Sequence, residues 1–181
     1  MALIPYADED PRDERVEAIL ARLPEPRINL FRMLANAPAL IGPTLRLGEA
    51  ILTKSELDPK LRELVILRVA RETGSEYEWV QHERIARLVG LSDEEIAGVE
   101  NDQRAALRLV DALLASRDAT PSEELVAEVE RELGRAQLLE LILTTGYYAM
   151  LGAMMRAVRL DVDDVLEKGM LDRERLGGQS P

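Results

Sequence analysis

Signals that start and stop helices recur along this chain at short intervals, and they constrain its fold more than any other feature. Asp58-Pro59 reads as an N-cap followed by proline at the first helical position, and Gly74 supplies the stop. Ser75-x-x-Glu78, Ser92-x-x-Glu95 and Thr120-x-x-Glu123 each fit the capping box, the last with Pro121 opening the helix. Gly90 and Gly134 stand where C-terminal glycines belong. Apolar residues recur at three and four, as in Val16, Ile19, Leu20 and Leu23, and no stretch alternates as a half-buried strand would. The spacing predicts an all-α chain with helices near 12–23, 28–36, 38–52, 59–73, 76–89, 93–99, 102–117, 121–133 and 136–158. Pro24, Pro26 and Pro38 divide the first three, and a short last helix is expected over 161–168.

The 181 residues suit a single domain. Residues 1–11 read as an extended arm, 12–169 as one all-α domain, and 170–181, charged and then Gly/Ser/Pro-rich, as a frayed tail. A net charge of −11 argues against a nucleic-acid partner, which needs a basic face, and against docking on anionic lipid. With no cysteine there is no thiolate, disulfide or iron–sulfur chemistry. One histidine, His82, leaves little for a multi-histidine metal centre, so neither metal nor cofactor is expected. The N-terminus lacks the pattern of a secretory signal, and the longest uncharged run, Leu141 to Met155, is fifteen residues, shorter than a membrane span. The expectation is a soluble cytoplasmic protein.

Two helices stand out. Leu61-Arg62-Glu63-Leu64-Val65-Ile66 and Leu138-Leu139-Glu140-Leu141-Ile142-Leu143 are alike at a spacing of 77 residues, a weak internal repeat. Both are apolar around most of their circumference, as helices buried on several sides are. Ala149, Ala153 and Ala157 form a row of small residues along the second, where another helix is expected to approach closely.

Candidate chemistry lies where ionisable groups fall on apolar faces. Glu63 has Ile66, Leu67 and Ala70 on its face, and His82 has Ile85, Ala86 and Val89 ahead of it. Glu78, one turn before His82, is within reach of the imidazole. The carboxylate favours imidazolium and burial opposes it, a balance suited to a general acid or base. Structural readings stand beside this. The capping box alone accounts for Ser75 and Glu78, and Glu78–His82 also fits an exposed ion pair of about 0.3–0.5 kcal/mol. Tyr77 and Trp79, with Tyr147 and Tyr148, line an apolar wall with polar tips if their helices adjoin, or else fill the core. Arg68, inside an apolar helix, is a candidate partner for a buried carboxylate or an anionic substrate.

The run Glu63-Leu64-Val65-Ile66-Leu67-Arg68, then Ser75-Glu76-Tyr77-Glu78 with His82, then Ala86, Gly90-Leu91-Ser92 and Glu94-Glu95-Ile96, resembles the carboxymuconolactone decarboxylase family, most strongly over 40–115. The resemblance implies the alkylhydroperoxidase D-like helical fold and a homo-oligomer, a trimer or hexamer. The family's peroxidase branch uses a glutamate, a Cys-x-x-Cys pair and a histidine. Glu63, Ser75, Glu78 and His82 keep that spacing with both cysteines replaced, so peroxidase or peroxiredoxin activity is not carried over. Glu78 and His82 match the Glu-x-x-x-His of the lactone decarboxylase branch, whereas the segment from Thr144 to Tyr148 departs from it.

The expected function is a cofactor-independent, non-redox lyase or isomerase working by proton transfer on a small carboxylated or carbonyl compound. His82 is the expected proton donor, with Glu78 orienting it and Glu63 as a relay or as a partner behind the pair. Arg68, Ser75, Tyr77, Tyr147 and Tyr148 are the expected substrate contacts. The alternative is a non-catalytic oligomeric binding or scaffold protein of the same fold.

Overall fold

A computed structural model describes residues 1–10, 14–23, 27–115 and 120–163. Among them the regular elements are all helical: α1 (Glu14–Leu20), α2 (Asn29–Leu34), α3 (Ile41–Thr53), α4 (Pro59–Thr73), α5 (Glu76–Leu88), α6 (Asp93–Ala97), a 3-10 turn (Val99–Asn101), α7 (Ala105–Leu114) and α8 (Glu123–Val158). The expected tail 170–181, the Pro24 and Pro26 divider and most of the expected helix over 161–168 lie outside the described residues. Residues 161–163 form no regular element.

Local chemistry sets most of the boundaries. Asp58 accepts from the backbone N–H groups of Lys60 and Leu61, both at 3.0 Å, and Pro59 opens α4. Gly74 closes that helix at φ 65°, a conformation that costs other residues a Cβ clash. Ser92 and Glu95 complete a reciprocal capping box at 3.2 and 2.8 Å. The box expected at Thr120 is not the one used. Ser122 accepts from Leu125 N–H at 3.2 Å and α8 begins at Glu123, because Ser122, not Thr120, has the extended N-cap backbone three residues before an open amide. Gly134, at φ 80° and ψ 168°, interrupts α8, so the expected stop after 133 appears as a break within one long element.

The Ser75–Glu78 box is also absent. Ser75 precedes α5 with ψ 94°, against 160° at Ser92 and 150° at Ser122, and its hydroxyl makes no capping bond. Both Ser75 and Glu78 turn inward instead.

α4 is the axis of the fold, packed by α5, α7 and α8. Its residues Leu61–Ala70 are all buried, three of them charged: Arg62, Glu63 and Arg68. A helix enclosed on every side cannot point its charges at water, so each needs a partner. α8 also packs on α4, but it is enclosed on one side only: Leu139, Leu143 and Met150 are exposed. The alanine row does not seat a neighbouring helix, since Ala153 and Ala157 are exposed. Close approach occurs one residue away, at Gly152, where a Cβ would lie 3.2 Å from Ser75 Cβ and from Thr73 Oγ1. A second close approach joins α3 to α8, where a Cβ on Gly48 would meet the Tyr147 hydroxyl at 2.5 Å. The N-terminal arm is tied down rather than free: Leu3 N–H donates to Val158 C=O at 2.8 Å and Tyr6 O–H to Asp161 at 2.9 Å.

Candidate active site

Three helices bring a row of polar groups into the interior. The i, i+3 and i+7 spacing puts Ser75, Glu78 and His82 on the face of α5 that meets α8. Thr144, Tyr148 and Gly152 repeat at four on the facing side of α8. Gly152 meets Ser75, and the Tyr148 ring sits edge-on to the His82 ring with centroids 4.8 Å apart, so the two rows run antiparallel. Glu63, fully buried on α4, closes the third side.

The bonds form a chain. His82 Nδ1 lies 2.8 Å from Glu63 Oε2. A carboxylate only accepts, so this contact puts the proton on Nδ1 and leaves Nε2 facing the other way. Arg62 donates from Nε to Glu63 Oε1 at 2.9 Å and from a terminal nitrogen to Leu52 C=O at 2.9 Å, so Glu63 is held from both oxygens. Glu78 Oε2 lies 3.5 Å from Nε2, longer than a well-formed hydrogen bond.

Electrostatics follow from this order. Burial pushes the Glu78 carboxyl up to about 7, the His82 charge pulls it back and Glu63 adds to the rise. For His82 burial opposes the charged form, but Glu63, by charge and by hydrogen bond, outweighs it, so the imidazole is raised. Burial and the facing Glu78 and Glu63 hold the Tyr148 phenol well above its usual range. Tyr147 rises to about 12, chiefly through burial and then Glu78.

Four buried atoms along these helices have no hydrogen-bond partner: Ser75 Oγ, Glu78 Oε1, Gln81 Oε1 and Thr144 Oγ1. Gln81 belongs with Tyr77 and Asp163, but Ser75, Glu78 and Thr144 lie on the facing rows of α5 and α8, and since buried polar atoms are paired in the great majority of cases these three distinguish the row as the candidate site. Among the described residues no set of three or more histidine or carboxylate side chains is arranged to hold a metal ion.

The sequence-predicted residues divide into two sets. Glu63, Ser75, Glu78, His82 and Tyr148 come together, and Tyr147 stacks edge-on to Tyr148 at 5.2 Å while donating to Thr44 C=O at 3.1 Å. Arg68 does not join them: its guanidinium grips Asp111 with two bonds of 2.6 Å and also donates to Val99 C=O. Tyr77 turns to the opposite side, where its hydroxyl donates to Asp163, which also accepts from Gln81 Nε2 at 3.2 Å and Asn29 N–H at 2.8 Å. Trp79 lies under the Arg71 guanidinium, 3.9 Å from its ring centroid, and is only partly buried. The wall of four aromatics is therefore reduced to the two tyrosines of α8. Sequence reasoning missed Arg62 and Thr144. Their signals were present: a charge beside Glu63 in an apolar helix, and a hydroxyl inside the fifteen-residue uncharged run.

Residues 38–120 match the model of the carboxymuconolactone decarboxylase family. No curated protein sequence matches the chain. Among solved structures, the chain is similar to the debrominase Bmp8, crystallised as a Cys-to-Ala variant with 2,3,4-tribromopyrrole. The TM-score is 0.64 over 90% of this chain and 91% of that one, at 16% identity, which shows a shared fold. Residues 38–120 are therefore similar to the carboxymuconolactone decarboxylase family, and the chain has the all-helical alkylhydroperoxidase D-like fold around Glu63, Glu78 and His82 with no cysteine.

Proposed function

We propose that this protein is a proton-transfer enzyme acting on a small carbonyl compound, with Glu78 as the acid and base and His82 behind it. The observation that carries the reading is Glu78 itself. One oxygen faces His82 Nε2, the other is buried with no partner, and burial lifts the carboxyl to about 7. A general acid–base works best with a pKa near the working pH, where both forms are present. Glu63, braced by Arg62, fixes the imidazole so that Nε2 and not Nδ1 addresses Glu78. These roles differ from those expected from sequence: orientation falls to Glu63 and proton exchange to Glu78.

An uncharged substrate and an isomerisation suit the site better than a carboxylate and its loss. Both buried guanidinium groups of α4 are engaged, Arg62 by Glu63 and Arg68 by Asp111. In an isomerisation, the Glu78 carboxylate takes a proton from the carbon beside the carbonyl. The electron pair delocalises onto oxygen, and the proton returns to a second carbon from the same carboxyl, with no net gain or loss. Imidazolium Nε2–H stabilises the charge that develops, and the Ser75 and Thr144 hydroxyls supply the remaining hydrogen bonds.

Exchange into deuterated water tests this without knowledge of the natural substrate. Small ketones and enones incubated with the protein are expected to take up deuterium, as read by NMR. Loss of about 10²–10⁴-fold is expected in Glu78→Gln and His82→Gln. Equal exchange by the unaltered protein and by folded Glu78→Gln removes Glu78 from the chemistry. No exchange with any carbonyl compound favours the scaffold reading.

A further inference from the structure

α5 carries a second polar cluster beside the candidate site, one that the proposed chemistry does not use. Tyr77 and Gln81, both buried, lie one turn apart, and each stands one residue before a member of the site, Glu78 and His82. At about 100° per residue the two pairs form parallel stripes on one helix. Asp163, itself buried, joins the outer stripe from 86 positions along the chain. One of its oxygens accepts from the Tyr77 hydroxyl and from Gln81 Nε2 at 3.2 Å, and the other accepts from Asn29 N–H at 2.8 Å.

Each bond in this cluster is made at a distance. Ile28, at the N-cap of α2, offers no side-chain oxygen, so the Asn29 amide turns to Asp163 and the Leu30 amide to the Tyr77 hydroxyl at 3.4 Å. A carboxylate only accepts, so the Gln81 amide has to present its nitrogen to Asp163. Its oxygen is then left buried without a partner. An apolar side chain at 81 would pack without that cost. Asp163 therefore sets the orientation of Gln81 against the amide's own hydrogen-bonding balance.

A carboxylate that grips one helix at two positions a turn apart, while anchored to another element, resists rotation of that helix about its axis. The site depends on that rotation at one bond in particular. Glu78 and His82 ride together on α5, but the 2.8 Å contact of His82 Nδ1 with Glu63 Oε2 crosses to α4. A turn of about 10° carries a group about 6 Å from the axis by about 1 Å, enough to break that bond. We infer that Asp163 is a positioning residue of the site: through Tyr77 and Gln81 it holds α5 in the rotation at which Glu63 keeps the proton on His82 Nδ1. Its contribution to turnover rests on the proton-transfer reading of the site, whereas the bond it protects does not.

Asp161, two residues earlier, supplies the control. Its carboxylate accepts from Tyr6 O–H at 2.9 Å and from Ala2 N–H at 3.0 Å, both on the N-terminal arm, and α5 donates neither bond. If the segment after α8 did no more than brace the fold, loosening either aspartate would act alike on His82. The geometry separates them.

A single histidine makes the test direct, because its ring protons are read by NMR without overlap. In protein carrying isotope-labelled histidine, the Nδ1–H proton of His82 is expected to exchange with water at least about tenfold faster in Asp163→Ala and to keep its rate in Asp161→Ala. Deuterium uptake by the ketone or enone that the unaltered protein exchanges fastest is expected to fall about 10–100-fold in Asp163→Ala, in kcat with KM held, and less than about twofold in Asp161→Ala. Tyr77→Phe, which keeps the ring and removes the donor, is read in the same way if Asp163→Ala does not fold. An unchanged Nδ1–H rate in the folded variant, or equal acceleration by Asp161→Ala, overturns the proposal. Faster Nδ1–H exchange in Asp163→Ala but not in Asp161→Ala, with no uptake by any carbonyl compound, upholds the positioning and overturns the proton-transfer reading instead.

Discussion

α4 buries two ionic groups that differ in exposure and in completeness. Arg68 and Asp111 meet in two short bonds with Val99 C=O taking a third, and Asp111 keeps 37% of its side chain exposed. Arg62, Glu63, His82 and Glu78 lie deeper, and their chain ends on a carboxylate oxygen with no partner. The first group is saturated and partly wet, so it anchors α7 to α4. The second is fully enclosed and unfinished, and that incompleteness is what the proposed chemistry uses.

Glu63→Ala should break the deeper group outright. It strands the Arg62 guanidinium and the imidazole in the interior, and a loss of about 3–5 kcal/mol is expected in urea unfolding. Arg68→Ala should cost less, about 2–3 kcal/mol, because Asp111 can turn to water and Val99 C=O alone loses its donor. The same variant should leave the titration of the single histidine, followed by NMR, unmoved. If it shifts, the two groups are coupled and the contrast fails.

Glu78 supplies the pH dependence. Its carboxyl is raised from 4.5 to about 7 on folding, so between these values the folded state holds more protons than the unfolded one. The contribution of Glu78 to stability is therefore full below about pH 4.5 and is lost as pH rises through about 7, by a few kcal/mol. His82, also raised, adds to the fall with the same sign. Urea midpoints measured from pH 5 to 9 should show a steep decline in the unaltered protein and a shallower one in Glu78→Gln. An equal slope in both would mean that Glu78 is ionised throughout.

The smallest effect separates two serines that look alike in sequence. Ser92→Ala removes a working cap and should cost about 1 kcal/mol. Ser75→Ala removes a hydroxyl with no partner and should change thermal stability by less than about 0.5 kcal/mol, while still affecting any ligand bound beside Glu78.

How much was legible follows from the range of the interactions. Asp58, Gly74, Gly90 and Ser92 act on amides within a few residues, and each boundary they mark is present. Thr120 was mistaken for the cap because Ser122, two residues on, competes for the same role. Ser75 was mistaken for a cap because its side chain is buried against α8, where Gly152, over seventy residues away, leaves it room. Glu63, Glu78 and His82 were visible as ionisable groups on apolar faces. Which carboxylate holds which ring nitrogen was not visible, since Glu63 and His82 lie on different helices.

The sequence by itself determined the all-helical class, the family resemblance over its central part and the candidate glutamates and histidine, because periodicity, caps and motif spacing are properties of neighbours along the chain. Tertiary structure alone decided that Glu63 and not Glu78 grips Nδ1, that Arg68 belongs to Asp111, and that α8 keeps Leu139, Leu143 and Met150 exposed. Those outcomes depend on how α3, α4, α5, α7 and α8 come to rest against one another. Hydrogen bonds between helices and the space left by Gly48 and Gly152 select that arrangement, and no local pattern records it.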